Sequence, residues 1–143
     1  MRSKLLFASA IAAIAAAMVA GLLIVGGPSQ GQRDKFDTQR YLELNALARA
    51  LMCVQGAAIP GSSLPQELTV DSLRVHCTSA GIDADDLSDN ETSQPYVYDR
   101  RGDHFFSICA TFHDAKRTVR LNPQVWNGAP FDAETGCVSG WLR

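Results

Sequence analysis

The stretch that most constrains this chain is Pro95 to Phe112, P-Y-V-Y-D-R-R-G-D-H-F-F-S-I-C-A-T-F. Tyr96, Val97 and Tyr98 are strand-favouring residues that follow a proline, a pattern suited to an edge strand. Asp99 to Asp103 is polar and carries Gly102, the residue a tight turn with a left-handed position requires. From Phe106 the period is two. Phe106, Ile108, Ala110 and Phe112 share one apolar face, and Phe105, Ser107, Cys109 and Thr111 share the other. The pattern predicts a β-hairpin laid on a core, with Cys109 facing outward. A thiol there needs a partner from elsewhere in the chain.

A helix is the natural cover for such a hairpin. Tyr41, Leu44, Leu47, Ala48, Leu51 and Val54 form one helical stripe between Lys35 and about Gln55. A weaker stripe runs through Leu42, Ala46, Ala50 and Cys53. Asp34 is the expected N-cap, with Asp37 three residues on, and Gly56 the expected stop. Core packing explains the stripes more simply than a partner face. Further on, Ser63 followed by Pro65 and Gln66 suggests one capped helical turn that places Leu64, Leu68 and Leu73 over the helix.

The N-terminus is of another kind. Leu5 to Gly27 carries no charge, and Ser9 is its one hydroxyl side chain. As a helix it is long enough to cross a hydrocarbon layer of about 30 Å. Arg2 and Lys4 precede it, which orients the following domain away from the cytoplasm. The run stays apolar to Val25, and Gly26-Gly27-Pro28-Ser29 is a poor cleavage site, so an uncleaved anchor is favoured over a cleaved signal. The expected organisation is an anchor at 1–27, a flexible linker at 28–33 and a domain at 34–143. After residue 27 there are 11 basic against 15 acidic side chains. That acidic balance argues against nucleic acid as a partner.

Four cysteines beyond such an anchor read as two disulfides, with three connectivities open. Cys109–Cys137 is favoured because the outward Cys109 needs the C-terminal tail to cross its strand, which leaves Cys53–Cys77. There is no C-x-x-C pair to suggest a zinc ribbon or a thioredoxin-like site.

Other chemistry is sparse. Gly81 to Glu91 is dense in carboxylates, and calcium held by Asp83, Asp85 and Asp89 is one reading. Ser88 and Gln94 stand where an EF-hand needs its glycine and its bidentate glutamate, so a solvated acidic loop is the default and no metal or cofactor is expected. His76 and Cys77 are adjacent, an arrangement in which base and nucleophile rarely meet, so no catalytic residue is assigned. Arg101-Gly102-Asp103 spells an adhesion tripeptide that the turn explains by itself. Trp126 and Trp141 are expected to cover apolar surface.

Leu64-Pro65-x-x-Leu68, Pro95-Tyr96-x-Tyr98 and Cys109-Ala110-Thr111-Phe112, behind an apolar N-terminus and before a lone later cysteine, resemble a family of uncharacterised small bacterial membrane-anchored proteins. Their globular part is similar to that of type II secretion pseudopilins. The resemblance implies an α+β fold: a transmembrane helix, then one long helix packed on a small antiparallel sheet. It implies a single-pass protein of a bacterial inner membrane with a periplasmic domain. The function expected is a non-enzymatic accessory module that meets an envelope protein. A structural secretion or pilus component and an extracytoplasmic thiol enzyme are the alternatives.

Overall fold

A computed structural model describes residues 2–25, 27–54, 63–77, 81–123 and 128–142. Two compact units divide the chain, Met1–Arg33 and Asp34–Arg143. The first holds helix α1, Arg2–Val25. Phe7 and residues 9–21, whose side chains are described there, are all exposed, Phe7, Ile11, Ile14 and Met18 each by more than half. Among the described residues no helix is long and apolar enough to cross a membrane. The expected span is therefore a helix, but the described residues do not by themselves qualify it as a crossing one.

Helix α2 runs Pro28–Leu51. It begins six residues before the expected cap at Asp34, and residues 28–33 are helical where a flexible linker was expected. Proline is well suited to a first helical position, because its missing N–H would find no partner there and its φ is already helical. Gly27 accepts from the backbone N–H of Gln30 and closes the first turn.

At its other end α2 stops at Leu51, short of Gly56, in a Schellman arrangement. Val54 N–H donates to Arg49 O and Cys53 N–H to Ala50 O, each at 3.1 Å. Cys53 takes the left-handed position at φ 46° that glycine usually fills. Its bond to Cys77 holds it there. Val54, expected in the apolar stripe, is thereby turned out to solvent.

The sheet is antiparallel with order β1-β2-β4-β3, formed by β1 Val97–Arg101, β2 Phe105–Cys109, β3 Phe131–Asp132 and β4 Cys137–Trp141. The expected hairpin is β1 and β2, joined through Gly102 at φ 67°. Phe106, Ile108 and Val138 are fully buried, and they join Leu44, Leu47, Leu51, Leu64 and Leu73 in one core. Tyr41 of α2 meets Phe131 of β3 edge-on at 5.0 Å. The domain is thus α+β: α2 and a small four-stranded sheet, braced by two disulfides.

Both bridges have the favoured connectivity, Cys53–Cys77 and Cys109–Cys137. The expected placement of the tail needs correction. Cys109 and Cys137 are directly opposed in the β2–β4 register, so the tail lies in the sheet as β4 and does not pass over it. Ser107 and Ser139 pair on the same outward face at 3.1 Å. Backbone hydrogen bonding docks this segment despite its few aliphatic residues. Trp141 remains 65% exposed and leans on Phe105 rather than covering the core. Trp126 lies outside the described residues.

The helical turn expected at Ser63 is absent. Residues 63–65 are irregular, with Leu64 N–H donating to Asp103 O. The capping box comes six residues later, where Thr69 and Ser72 exchange side-chain and backbone bonds to start α3, Val70–His76.

One position in β4 admits no side chain. A Cβ on Gly140 would lie 2.7 and 2.8 Å from ring carbons of Phe106 and 3.3 Å from Met52 Sδ. Phe106 is fully buried, so its ring cannot swing out into solvent without leaving the core. Gly140→Ala is expected to lower stability by about 1–3 kcal/mol, the usual range for overpacking. Urea unfolding read by circular dichroism measures it, and an unchanged midpoint would show that the ring moves freely.

Candidate functional site

The polar centre of the domain starts from a three-residue spacing on α2. Asp37, Arg40 and Glu43 recur at i, i+3 and i+6, a stripe that runs beside the apolar one. Arg40 is 3% exposed. A guanidinium in that position must have its charge met and its donors filled. It bonds Asp37 Oδ1 at 2.8 Å and Asp89 Oδ2 at 2.6 Å, and its second terminal nitrogen meets Glu91. One cation therefore gathers three carboxylates, two of them from the loop after the short 3-10 helix Ala84–Leu87.

Two of the carboxylates also fix backbone, and the third holds a second side chain. Asp37 accepts from the N–H groups of His113 and Asp114 at 3.0 and 2.8 Å. Asp114 in turn caps α4, Ala115–Leu121, by accepting from Arg117 N–H. Asp89 Oδ1 accepts from Glu91 N–H and Thr92 N–H, closing the loop on itself. Glu91 Oε2 also meets His113 Nε2 at 2.9 Å. Glu43 takes Tyr96 Oη and Asn90 Nδ2, so the start of the hairpin is held to the same helix.

The electrostatics follow from these contacts. Burial pushes Asp89 up, but Arg40 and the two backbone donors outweigh it and hold its carboxyl below the ordinary carboxylate range. Glu91 is held low by His113 and then by Arg40. Burial opposes the charge on Arg40, and its carboxylate partners more than offset that, raising it above its ordinary value. Burial and then the Glu43 carboxylate push the Tyr96 phenol well up.

Above this network lies an open cleft of about 460 Å³. Arg40 and Asp89 form its base, and Glu91, Val97, Phe112 and His113 stand along its sides. Val97 is 66% exposed at the outer edge. The cleft exists because the hairpin strands part beyond the Val97–Cys109 pair: residues 89–95 bend to Arg40 on one side, and residues 110–114 bend to Asp37 on the other.

The residues expected to carry chemistry are not brought together. Asp83 and Asp85 are exposed at the 3-10 helix, where Asp86 caps the Asp83 N–H, while Asp89 is buried against Arg40. The stretch is thus not the freely solvated loop expected. Among the described residues no three His, Cys, Asp or Glu side chains are placed to hold a metal ion. Calorimetry of the full chain with calcium is expected to register no micromolar binding; binding abolished by Asp83→Ala or Asp85→Ala would reverse this reading. His76 is buried with Nε2 2.6 Å from Leu51 O, and its neighbour Cys77 is in a disulfide. All four cysteines are bonded. Arg101 and Asp103 lie exposed at the hairpin tip.

Sequence reasoning missed Arg40 and the role of Asp89. The signal that was available is a lone arginine next to Tyr41 in the apolar stripe, together with more carboxylates in one loop than a surface turn needs. Comparison with protein-family models, curated proteins and solved structures finds no match.

Proposed function

We propose that this chain is a non-enzymatic accessory module of the bacterial envelope, held in the inner membrane by residues 1–27, with the disulfide-braced domain on the periplasmic side. The observation that carries this reading is the presence of two disulfides on a chain whose first charges, Arg2 and Lys4, are followed by an uncharged run from Leu5 to Gly27. Disulfides persist in oxidising compartments, and the basic start sets the orientation. The domain offers a disulfide-braced surface for a partner protein, and the cleft beside Val97 is its candidate contact.

A tag placed after Arg143 is expected to be digested by protease added outside the cytoplasmic membrane, with the protein resisting carbonate extraction. Release as a shortened soluble chain would replace the anchor with a cleaved signal. Crosslinking in native membranes should capture one envelope protein, and Val97→Arg should weaken that capture.

The reading as a pseudopilin-like structural component is favoured by one feature, the long helix α2 laid on a small antiparallel sheet. Leu5 to Gly27 contains no glutamate of the kind pseudopilins carry after their processing site. Copurification with a secretion machine as ordered oligomers would favour that component over an accessory module. A thiol enzyme would require a cysteine that alkylates in the native protein.

A further inference from the structure

The ladder between β1 and β2 ends at the Val97–Cys109 pair, and the next pair in that register would be Pro95 with Thr111. Their neighbours fix where the backbone groups of these two residues point. Ala110 N–H donates to Gly136 O, on the β4 side, so strand alternation turns Thr111 N–H and C=O toward β1. Tyr96 N–H donates to Leu87 O and Asp89 N–H to Gln94 O, so the Pro95 carbonyl is turned the other way, toward β2. Proline has no N–H to offer Thr111. Among the described residues, neither Thr111 nor Pro95 forms a backbone hydrogen bond of its own. Both are exposed and line the cleft, so these groups stand open to a guest. The network beneath them is negative, with three carboxylates, Asp37, Asp89 and Glu91, around one guanidinium. Glu91 uses Oε2 for both Arg40 and His113, while its Oε1 has no partner among the described residues.

We infer that the cleft takes an extended segment of a partner protein as an added strand opposite Thr111, with a lysine or arginine of that segment meeting the Glu91 carboxylate. The inference rests on the reading of this cleft as the partner contact. An open end of a ladder binds an added strand through main-chain hydrogen bonds, and the side chains beside it choose the sequence. Here that choice is made by charge. The surplus of carboxylates lies in a recess, where a charge is less screened than on open surface, so a cationic guest is drawn in and an anionic one repelled. Val97, exposed at the outer edge, gives an apolar neighbour of that cation a place to rest. The same geometry explains why Val97→Arg should weaken capture, since it sets a fixed cation where the guest's own must enter.

The test titrates the full chain in detergent micelles with a capped pentapeptide, alanine-valine-lysine-valine-alanine, and follows backbone amide signals by NMR. The Thr111 amide signal is expected to move. A peptide with glutamate in place of lysine should bind about tenfold more weakly, as should the lysine peptide N-methylated at its three central residues. Glu91→Gln should bring the lysine and glutamate peptides within about twofold of each other, because a neutral amide no longer favours either charge. Unchanged β2 and β4 signals would mark an intact fold in that variant. A still Thr111 signal, equal binding of the lysine and glutamate peptides by the parent chain, or full binding of the N-methylated peptide would each overturn the inference. If Val97→Arg nevertheless weakens crosslinking to the envelope protein, the cleft stays the contact and only the guest described here is refuted. Crosslinking unchanged by Val97→Arg would sink the cleft reading and this one together.

Discussion

Arg40→Leu is expected to lower the stability of the domain by about 3–5 kcal/mol, the usual effect of removing one partner from a buried ion pair. Asp37 and Asp89 are 1% and 6% exposed, and without the guanidinium they would stay buried with no cation to answer them. The loss is large against a total stability of about 5–15 kcal/mol for an ordinary domain. It should be structural as well as energetic. Asp37 holds the entry to α4, Asp89 holds the loop before the hairpin, and Arg40 is the link between them. Urea unfolding followed by hydrogen exchange would read both effects. A midpoint within experimental error of the parent would show that the carboxylates find other partners.

The same network sets a direction with acid. Asp89 and Glu91 titrate below their ordinary values in the folded state. Groups depressed on folding contribute stability that is complete above the unfolded carboxylate value, about 4, and is lost as pH falls through the folded one. Stability should therefore be flat at neutral pH and decline below about pH 4. In Arg40→Leu the share of that depression supplied by Arg40 is lost, while His113 and the backbone donors remain, so the acid decline should be shallower.

Cys137→Ser is the second large effect expected, about 3–4 kcal/mol from the chain-entropy relation for a bridge across 28 residues. The β2–β4 pairing survives in the native state, since its hydrogen bonds do not involve sulfur. The destabilisation thus acts mainly through the unfolded chain, and the folded sheet should keep its spectrum while its urea midpoint falls. Cys109 should become open to alkylation, and the Cys53–Cys77 bridge should remain. Peptide mapping of the unreduced parent supplies the control: a fragment joining Cys109 to Cys53 or Cys77 would contradict the register described above.

Much of this architecture was legible in the residues because it is periodic. The alternation of Phe106 and Ile108 and the helical recurrence of Leu44, Leu47 and Leu51 each report which face is buried, and buried faces define the fold. Cys109 was read as outward from the same alternation, and its pairing followed. The ends of elements were less visible. Cys53 ends α2 in a conformation where glycine is the familiar signal, and Pro28 starts it inside what looks like a breaker sequence. The tail went into the sheet because strand pairing is satisfied by backbone groups that every residue carries, so β3 and β4 leave little trace in side-chain pattern. The network around Arg40 was hidden for another reason. Its bonded partners are up to 77 residues apart, and charges in an acidic loop look the same whether solvated or buried until the helix that answers them is placed.

The two disulfides also divide the chain into covalent loops, one enclosing residues 54–76 and the other residues 110–136. A protease that cuts once inside either loop severs the backbone without releasing anything. The nicked protein would migrate as one species until a reductant is added, and would then separate into two. Where proteases meet exposed turns, such a chain can carry a clipped loop and still keep its sheet and its N-terminal helix in a single molecule.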